Sequence, residues 1–178
     1  SITLTPSNTP APSPIFTLLA SASQDFGNHQ NFNGWTYGYY LSPAAASRIL
    51  FTNSQFSTGS NIFLYGGSWC RIGSSYMHPN SGFGCSTTGY GYCMPSILWV
   101  PLVRDVYAYY KIRYDISHAH ACGDGVKMQL LADGQIVYQD IDSTGAISIS
   151  RTFTRSSSLT SLELRHDPNG GCDCDQVT

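Results

Sequence analysis

The carboxylates of this sequence are few, and most of them stand where catalysis is not expected. Glutamate occurs once, at Glu163, and several aspartates stand in turn-like segments, among them Asp124, Asp133 and Asp167. Glycoside hydrolysis needs two carboxyl groups about 5–10 Å apart, whereas an aspartate in a turn usually bonds its own backbone. We therefore do not expect a glycosidase.

Histidine and nucleophile patterns are equally weak. His118-Ala119-His120 would place two imidazoles on one face of an extended segment, and His29 or His78 would have to complete a zinc or copper site. Two histidines without a third ligand at a defined spacing do not make such a site. The G-x-S-x-G elbow and the Cys–His family signatures are not found in the sequence. We predict no enzyme, no metal and no cofactor.

Aromatic side chains, 13% of the chain, suit a binding role better than a catalytic one. A flat ring can stack on the C–H face of a sugar, while a phenol or indole keeps one polar end in water. The candidate ligand-binding residues are Trp35, Tyr37, Tyr39, Tyr107 and Tyr109. Two alternatives stand beside this role, because large aromatic residues are mostly buried in cores and tyrosine is enriched at subunit interfaces.

An even number of cysteines predicts disulfide bonds and an oxidising compartment. The spacing leaves the pairing open. Cys85 and Cys93 could close the loop between them, and Cys122 could reach the C-terminal pair. Zinc is the rival interpretation, but the Cys-x-Cys spacing at the C-terminus is not that of a zinc knuckle. The cysteines expected in disulfides are Cys70, Cys85, Cys93, Cys122, Cys172 and Cys174.

Composition restricts the class of protein. The 178 residues carry a formal net charge of −2, and charged residues make up 11% of the chain, against roughly 25% in average soluble proteins. Nucleic-acid binding is not expected, because it needs clustered Lys and Arg. Membrane insertion is not expected either, since no apolar run approaches the ~18 residues of a spanning helix. One glutamate and two lysines also leave little material for helix surfaces.

The sequence pattern predicts that any site is positioned by short β-strands. Residues 106–116 alternate between apolar and polar side chains, which indicates a half-buried strand. Asp133-Gly134 stands between two apolar runs and predicts a hairpin. We expect a long loop over 66–96, and an edge strand or a bulge over 97–103 because of Pro101. Eight to ten such strands predict an all-β protein, a two-sheet antiparallel jelly-roll-like sandwich stabilised by disulfides.

The N-terminal segment differs from the rest. We predict a short strand plus a Pro/Thr/Ser-rich linker over residues 1–14, and the sandwich domain over 15–178. In the strand, Ile2 and Leu4 could add to the sheet of a preceding unit by β-augmentation, or the strand could pair within its own domain or fray. The linker resembles O-glycosylated stalks, with the acceptors expected at Thr5, Ser7, Thr9 and Ser13.

Several short motifs resemble a known class of module. They are GDGV at 123–126 followed by KMQLLADGQIVY, the run FGNHQNFNGWTYGYY at 26–40, His78-Pro79 and the closing HDPNGGCDCD. They are similar to non-catalytic galactose-binding-like β-sandwich modules of secreted and surface proteins, and the GDGV hairpin resembles part of a PA14-like domain. PA14-like lectins that hold calcium use adjacent aspartates, and here Gly123 precedes Asp124. The resemblance implies a β-sandwich without catalytic residues.

The function expected from the sequence is therefore structural. We predict a non-catalytic extracellular module of a secreted or cell-surface glycoprotein, a repeating unit of a filament assembled through its N-terminal strand. Its partners would be other copies of itself or adjacent domains of the same chain. The alternative is a lectin-like carbohydrate-binding module, whose partners would be glycans.

Overall fold

A computed structural model describes residues 18, 20–65, 70–80, 92–102, 110–117, 125–142, 148–155 and 159–168. Across these ranges the chain forms β-strands and one 3-10 turn, Asn53–Gln55, and no α-helix. None of the helical structure in these ranges is long and apolar enough to cross a lipid bilayer. The strands are β1 Trp35–Tyr40, β2 Ile49–Leu50, β3 Phe56–Ser57, β4 Ile62–Leu64, β5 Arg71–Gly73, β6 Met77–His78, β7 Met94–Trp99, β8 Tyr110–Ser117, β9 Val126–Ala132, β10 Gln135–Asp142, β11 Ser148–Arg155 and β12 Leu162–Asp167.

The strands pair antiparallel throughout and build a sandwich. A six-stranded sheet has the order β10-β9-β12-β7-β1-β2, a four-stranded sheet has the order β3-β4-β5-β6, and β11 pairs with β8. One apolar cluster joins all three sheets, because Tyr37 of β1, Phe63 of β4 and Tyr110 of β8 belong to it. The prediction of an all-β antiparallel sandwich with a disulfide is confirmed.

Aromatic rings fill the space between the six-stranded and four-stranded sheets. Tyr37 stacks on Phe63 with ring centroids 5.3 Å apart, and Phe51 stacks on Phe63 at 5.5 Å. Phe26, from the segment before β1, meets Tyr37 edge-on at 4.9 Å. Large rings bury more apolar area per side chain than any other residue, so strands as short as β3 and β4 can still anchor a core.

The predicted hairpin at Asp133-Gly134 is present between β9 and β10. Both turn residues have positive φ, 50° at Asp133 and 76° at Gly134, as a two-residue hairpin turn requires. The Asp133 carboxylate also accepts hydrogen bonds from the backbone N–H groups of Thr160 and Ser161, at 2.7 and 3.0 Å. The turn therefore also fixes the chain entering β12.

Two expectations about the middle of the chain were wrong. The region expected to be a loop contains β5, β6 and the start of β7. The run around Pro101 is not an edge strand, because β7 ends at Trp99 and lies between β1 and β12. Pro95 is tolerated in β7 because β12 pairs only with Ser96–Trp99, so Pro95 lies outside the stretch that is paired on both sides.

A disulfide between Cys70 and Cys93 joins the two larger sheets. Cys70 precedes β5 of the four-stranded sheet, and Cys93 precedes β7 of the six-stranded sheet, with Cα atoms 5.9 Å apart. Both cysteines are fully buried. The suggestion that Cys93 pairs with Cys85 is thereby wrong.

Other predicted residues lie outside the described ranges, so the predictions about them stay predictions. They are the linker 1–14 with Ile2, Leu4, Thr5, Ser7, Thr9 and Ser13, together with Cys85, Cys122, Cys172, Cys174, Tyr107 and Tyr109.

The double variant Cys70→Ala/Cys93→Ala should unfold more easily than the wild type. Losing a cross-link that closes a loop of this length costs about 2–4 kcal/mol of unfolding free energy, and the bond here spans 23 residues. Chemical denaturation measures the loss, and peptide mapping without reduction identifies the linked pair. An unchanged unfolding free energy, or a Cys85–Cys93 peptide, would contradict the assignment.

Candidate binding face

The aromatic residues of β1 that were candidates for ligand binding lie in the core. Trp35, Tyr37 and Tyr39 are 9%, 0% and 6% exposed, since alternate residues of a strand point to the same side and this side faces the four-stranded sheet. No flat face of these rings is left for a ligand. The structure assigns all three to core packing, the alternative given by the sequence.

The opposite side of β1 carries polar groups, and we call this side of the six-stranded sheet the outer face. Gly38 makes room there for Arg48: a Cβ atom at Gly38 would lie 2.8 Å from the Arg48 Cζ and 2.5 Å from the Ile49 carbonyl oxygen. The guanidinium donates to the carbonyl oxygens of Thr36 and Ser96 at 2.8 and 2.9 Å. It also donates to their hydroxyls at 3.0 and 2.8 Å. Arg48 therefore lies flat across β1 and β7.

The only glutamate of the chain sits at the centre of this outer face, on β12. Glu163 Oε1 accepts hydrogen bonds from the Tyr40 hydroxyl at 2.9 Å and from the Ser96 hydroxyl. Its Oε2 accepts from Arg165 Nη2 at 2.8 Å, and Arg48 Nε lies 3.8 Å from Oε1. We call these five residues the carboxylate cluster.

Burial and charge shape the ionisation of the cluster. Glu163 is 6% exposed. Burial lowers the pKa of Arg48 to about 10, although Glu163 counteracts the shift. Burial and the neighbouring carboxylate raise the pKa of Tyr40 to about 12. Burial alone would lower the pKa of Arg165, but the hydrogen bond to Glu163 and its charge raise it overall.

Arg165 connects the cluster to a more open set of polar side chains, which we call the polar strip. Lys127 Nζ donates to Asp167 Oδ2 at 3.0 Å, the Tyr92 hydroxyl donates to Asp167 Oδ1 at 3.2 Å, and Gln129 Nε2 donates to Gln139 Oε1 at 2.8 Å. The strand register places Asp167 opposite Lys127, and places Gln129 between Arg165 and Gln139. The strip consists of Tyr92, Lys127, Gln129, Gln139 and Asp167.

The strip differs from the cluster in its exposure. Gln139 is exposed, and Lys127 and Tyr92 are half-buried, whereas Gln129 and Asp167 are buried. Burial, followed by the charge of Asp167 and the hydrogen bond to it, raises the pKa of Tyr92 above its ordinary value. The exposed Ile141 lies opposite Lys127 and adds an apolar neighbour. Amide, ammonium and carboxylate groups thus stand within one or two strand spacings, each about 4.8 Å.

Two other features are weaker sites. A shallow depression is lined by Ser54, Gln55, Phe56, Ser57 and Leu64, but the side-chain amide oxygen of Gln55 already accepts a hydrogen bond from the backbone N–H of Thr52 at 2.8 Å. Within the described ranges no three His, Cys, Asp or Glu side chains come together as metal ligands. The histidine pair His118 and His120 lies outside these ranges.

Sequence reasoning missed both the cluster and the strip. The alternation in the stretch LELRHD, residues 162–167, places Glu163, Arg165 and Asp167 on one side of a strand, and that signal was available. Their partners were not, because Tyr40 lies 123 residues from Glu163 in the chain.

Comparisons with known proteins assign no family. No family model matches the chain, and no curated protein matches it. One similar solved structure is the carbohydrate-binding module CBM51 from Clostridium perfringens GH95 in complex with methyl-galactose, at 11% identity and a TM-score of 0.38, covering 56% of this chain and 74% of that chain. Another is the Stig cyclase Fisc from Fischerella sp. TAU in complex with an indole compound, at 16% identity and a TM-score of 0.32, covering 81% of this chain and 80% of that chain. The first belongs to the class predicted as the alternative function, and neither is named as a PA14-like domain. Both TM-scores are low, so these likenesses assign no function.

Replacing Glu163 by Gln should lower the unfolding free energy by about 3 kcal/mol, because it leaves buried arginines without their counter-charge. Arg113→Gln is the matched control, since Arg113 and Asp115 form an exposed ion pair with side chains 68% and 53% exposed, and such pairs contribute about 0–1 kcal/mol. Denaturation of both variants by urea measures the difference. Equal losses would mean that Glu163 is not the centre of a buried cluster.

Near neutral pH, Tyr37→Phe and Tyr40→Phe should have different effects on the free energy of unfolding. The buried Tyr37 hydroxyl has no hydrogen-bond partner among the described residues, so its removal should leave stability unchanged or raise it by about 1 kcal/mol. The Tyr40 hydroxyl donates to Glu163, so its removal should cost about 1–3 kcal/mol.

Alkaline titration provides a second measurement on the same two variants. Burial raises the pKa of Tyr37 and of Tyr40 from 10.0 to about 12. A folded pKa above the unfolded value means that the stabilisation is present below pH 10 and is lost as the pH rises through about 12. Phenolate absorbance should show one late-titrating group fewer in each variant than in the wild type, and titration of Tyr37 and Tyr40 near pH 10 would contradict their burial.

Proposed function

We propose that this protein is a non-catalytic carbohydrate-binding module whose ligand lies on the polar strip of the outer face. One observation carries the proposal: side chains of three adjacent strands are held in register by mutual hydrogen bonds, and their polar groups extend to an exposed edge at Gln139. The geometry favours this function, the alternative from the sequence, over a purely structural role. The residues that would bind are not the aromatic candidates of β1.

The chemistry of the strip suits sugar hydroxyls. A hydroxyl both donates and accepts, so it needs partners of both kinds. The exposed Gln139 supplies an amide donor and acceptor, and Lys127 supplies donors, while the buried Gln129 and Asp167 hold these two side chains in place. Ile141 offers an apolar side chain to the C–H groups of a ring. A site on a sheet is also more rigid than one on loops.

The same geometry argues against glycoside hydrolysis. The two carboxylates on this side of β12, Glu163 and Asp167, are four residues apart, which at about 3.3 Å per residue is roughly 13 Å. Paired catalytic carboxyl groups stand about 5–10 Å apart. Both oxygens of Glu163 also accept hydrogen bonds from the protein itself.

The proposal includes an extracellular location. The Cys70–Cys93 bond favours an oxidising compartment, because cytosolic thiols are kept reduced. Assembly into a filament through Ile2 and Leu4, and O-glycosylation of the linker, concern residues outside the described ranges. They stay predictions, open to electron microscopy and to intact-mass measurement.

Binding to a glycan array, followed by calorimetry on the best ligand, tests the proposal. Gln139→Ala and Lys127→Ala should each weaken binding by about tenfold, the equivalent of about 1.4 kcal/mol, without changing the thermal midpoint by more than a few degrees. Arg113→Ala, on the separate two-stranded sheet, is the control and should bind like the wild type. Absence of any glycan ligand, or binding unaffected by both strip variants, would overturn the proposal.

A further inference from the structure

The charges of the outer face are sorted by depth. In each ion pair the cation is more exposed than its carboxylate: 26% against 10% for Lys127 and Asp167, 21% against 8% for Arg165 and Glu163, and 11% against 8% for Arg48 and Glu163. Counted over the described residues, these three cations and two carboxylates leave one positive charge on this face, in a chain whose net charge is −2. A ligand that approaches the face therefore meets cationic groups first.

Both outer cations keep donors for a ligand. An ammonium group has three donors and a guanidinium has five. Lys127 donates one hydrogen bond within the described part of the chain, to Asp167. Among the described residues Arg165 donates only through Nη2, to Tyr40 and Glu163 at 2.8 Å each, which leaves Nη1 for a ligand.

The register sets the spacing of the two cations. Arg165 stands opposite Gln129, and Lys127 is two residues before Gln129 on the same side of β9. Lys127 and Arg165 are thus diagonal neighbours on one face, with backbones about 7–8 Å apart. Long side chains at that separation can converge on one anionic group, and a carboxylate has two oxygens to receive them.

We infer that the polar strip binds a carboxylated sugar, a uronate, with the carboxylate held between Lys127 and Arg165 and the ring hydroxyls held by Gln139, which Gln129 positions. This inference rests on the proposed function and names its class of ligand. Neutral sugars would satisfy the amide of Gln139, but they would offer no charged acceptor to the donors that Lys127 and Arg165 keep beyond their pairs with Asp167 and Glu163. A nucleic acid is a poorer fit, because it needs an extended basic surface, and the whole chain has nine Lys and Arg residues.

The experiment uses oligouronates that each have a methyl-ester counterpart of the same length, since esterification removes the charge and keeps the hydroxyls. The full chain should bind at least one acid about tenfold more tightly than its ester, as charge-assisted hydrogen bonds are roughly twice as strong as neutral ones. Raising NaCl from about 50 to about 300 mM should weaken binding of the acid but not of the ester, because the charges are partly exposed.

Lys127→Gln should remove most of the preference for the acid, whereas Arg113→Gln, which changes an exposed cation on another sheet, should keep it. Lys127 is the better test, because Arg165 also stabilises the carboxylate cluster. Equal affinity for acid and ester would overturn this inference and leave carbohydrate binding intact. Binding to neither form and to no neutral glycan would overturn both proposals. Equal binding to an acidic peptide of the same charge would overturn the specificity for a sugar.

Discussion

Burial of one carboxylate constrains the central strands of the six-stranded sheet. An ionised group taken out of water costs several kcal/mol unless charges and hydrogen bonds compensate it. Glu163 receives that compensation from β1, β7 and the residue before β2, through Tyr40, Ser96 and Arg48. A slip of one residue in any of these strands would turn the compensating side chain to the other face. The carboxylate therefore selects the register of the central strands together with the apolar core.

The two sides of β1 make different kinds of contact. Odd-numbered residues, Tyr37 and Tyr39 among them, pack rings against the four-stranded sheet. Even-numbered residues, Thr36 and Tyr40, bind Arg48 and Glu163. An apolar face tolerates side chains of similar volume, whereas a charged face tolerates only those that keep each donor and acceptor satisfied. The outer face is accordingly the side where specific binding chemistry can be built.

Local patterns allowed the fold to be predicted better than the site. The Asp133-Gly134 hairpin and the alternating strands depend on neighbours in the chain, and the structure contains them. The alternation of side chains in β1 does not indicate which side faces water, because both sides of this strand are buried. Its aromatic residues were therefore also candidates for ligand binding. The Cys70–Cys93 pair and the partners of Glu163 depend on contacts between distant segments, which one sequence does not reveal.

The contribution of the carboxylate cluster to stability does not by itself explain why these charges are buried, and the cluster also bears on the proposed binding. Well-packed apolar residues often replace a buried ion pair at no cost to stability, so stability alone does not require two arginines and a glutamate here. The cluster does hold Arg165, whose guanidinium lies 4.4 Å from the centre of the Tyr40 ring and is bonded to Glu163. An arginine fixed in this way has already lost the rotamer freedom, about 2 kcal/mol, that a free one would lose on binding. The buried charges thus hold Arg165 beside the polar strip, and under the proposed function they would connect the stability of the sheet with the affinity of the strip for its ligand.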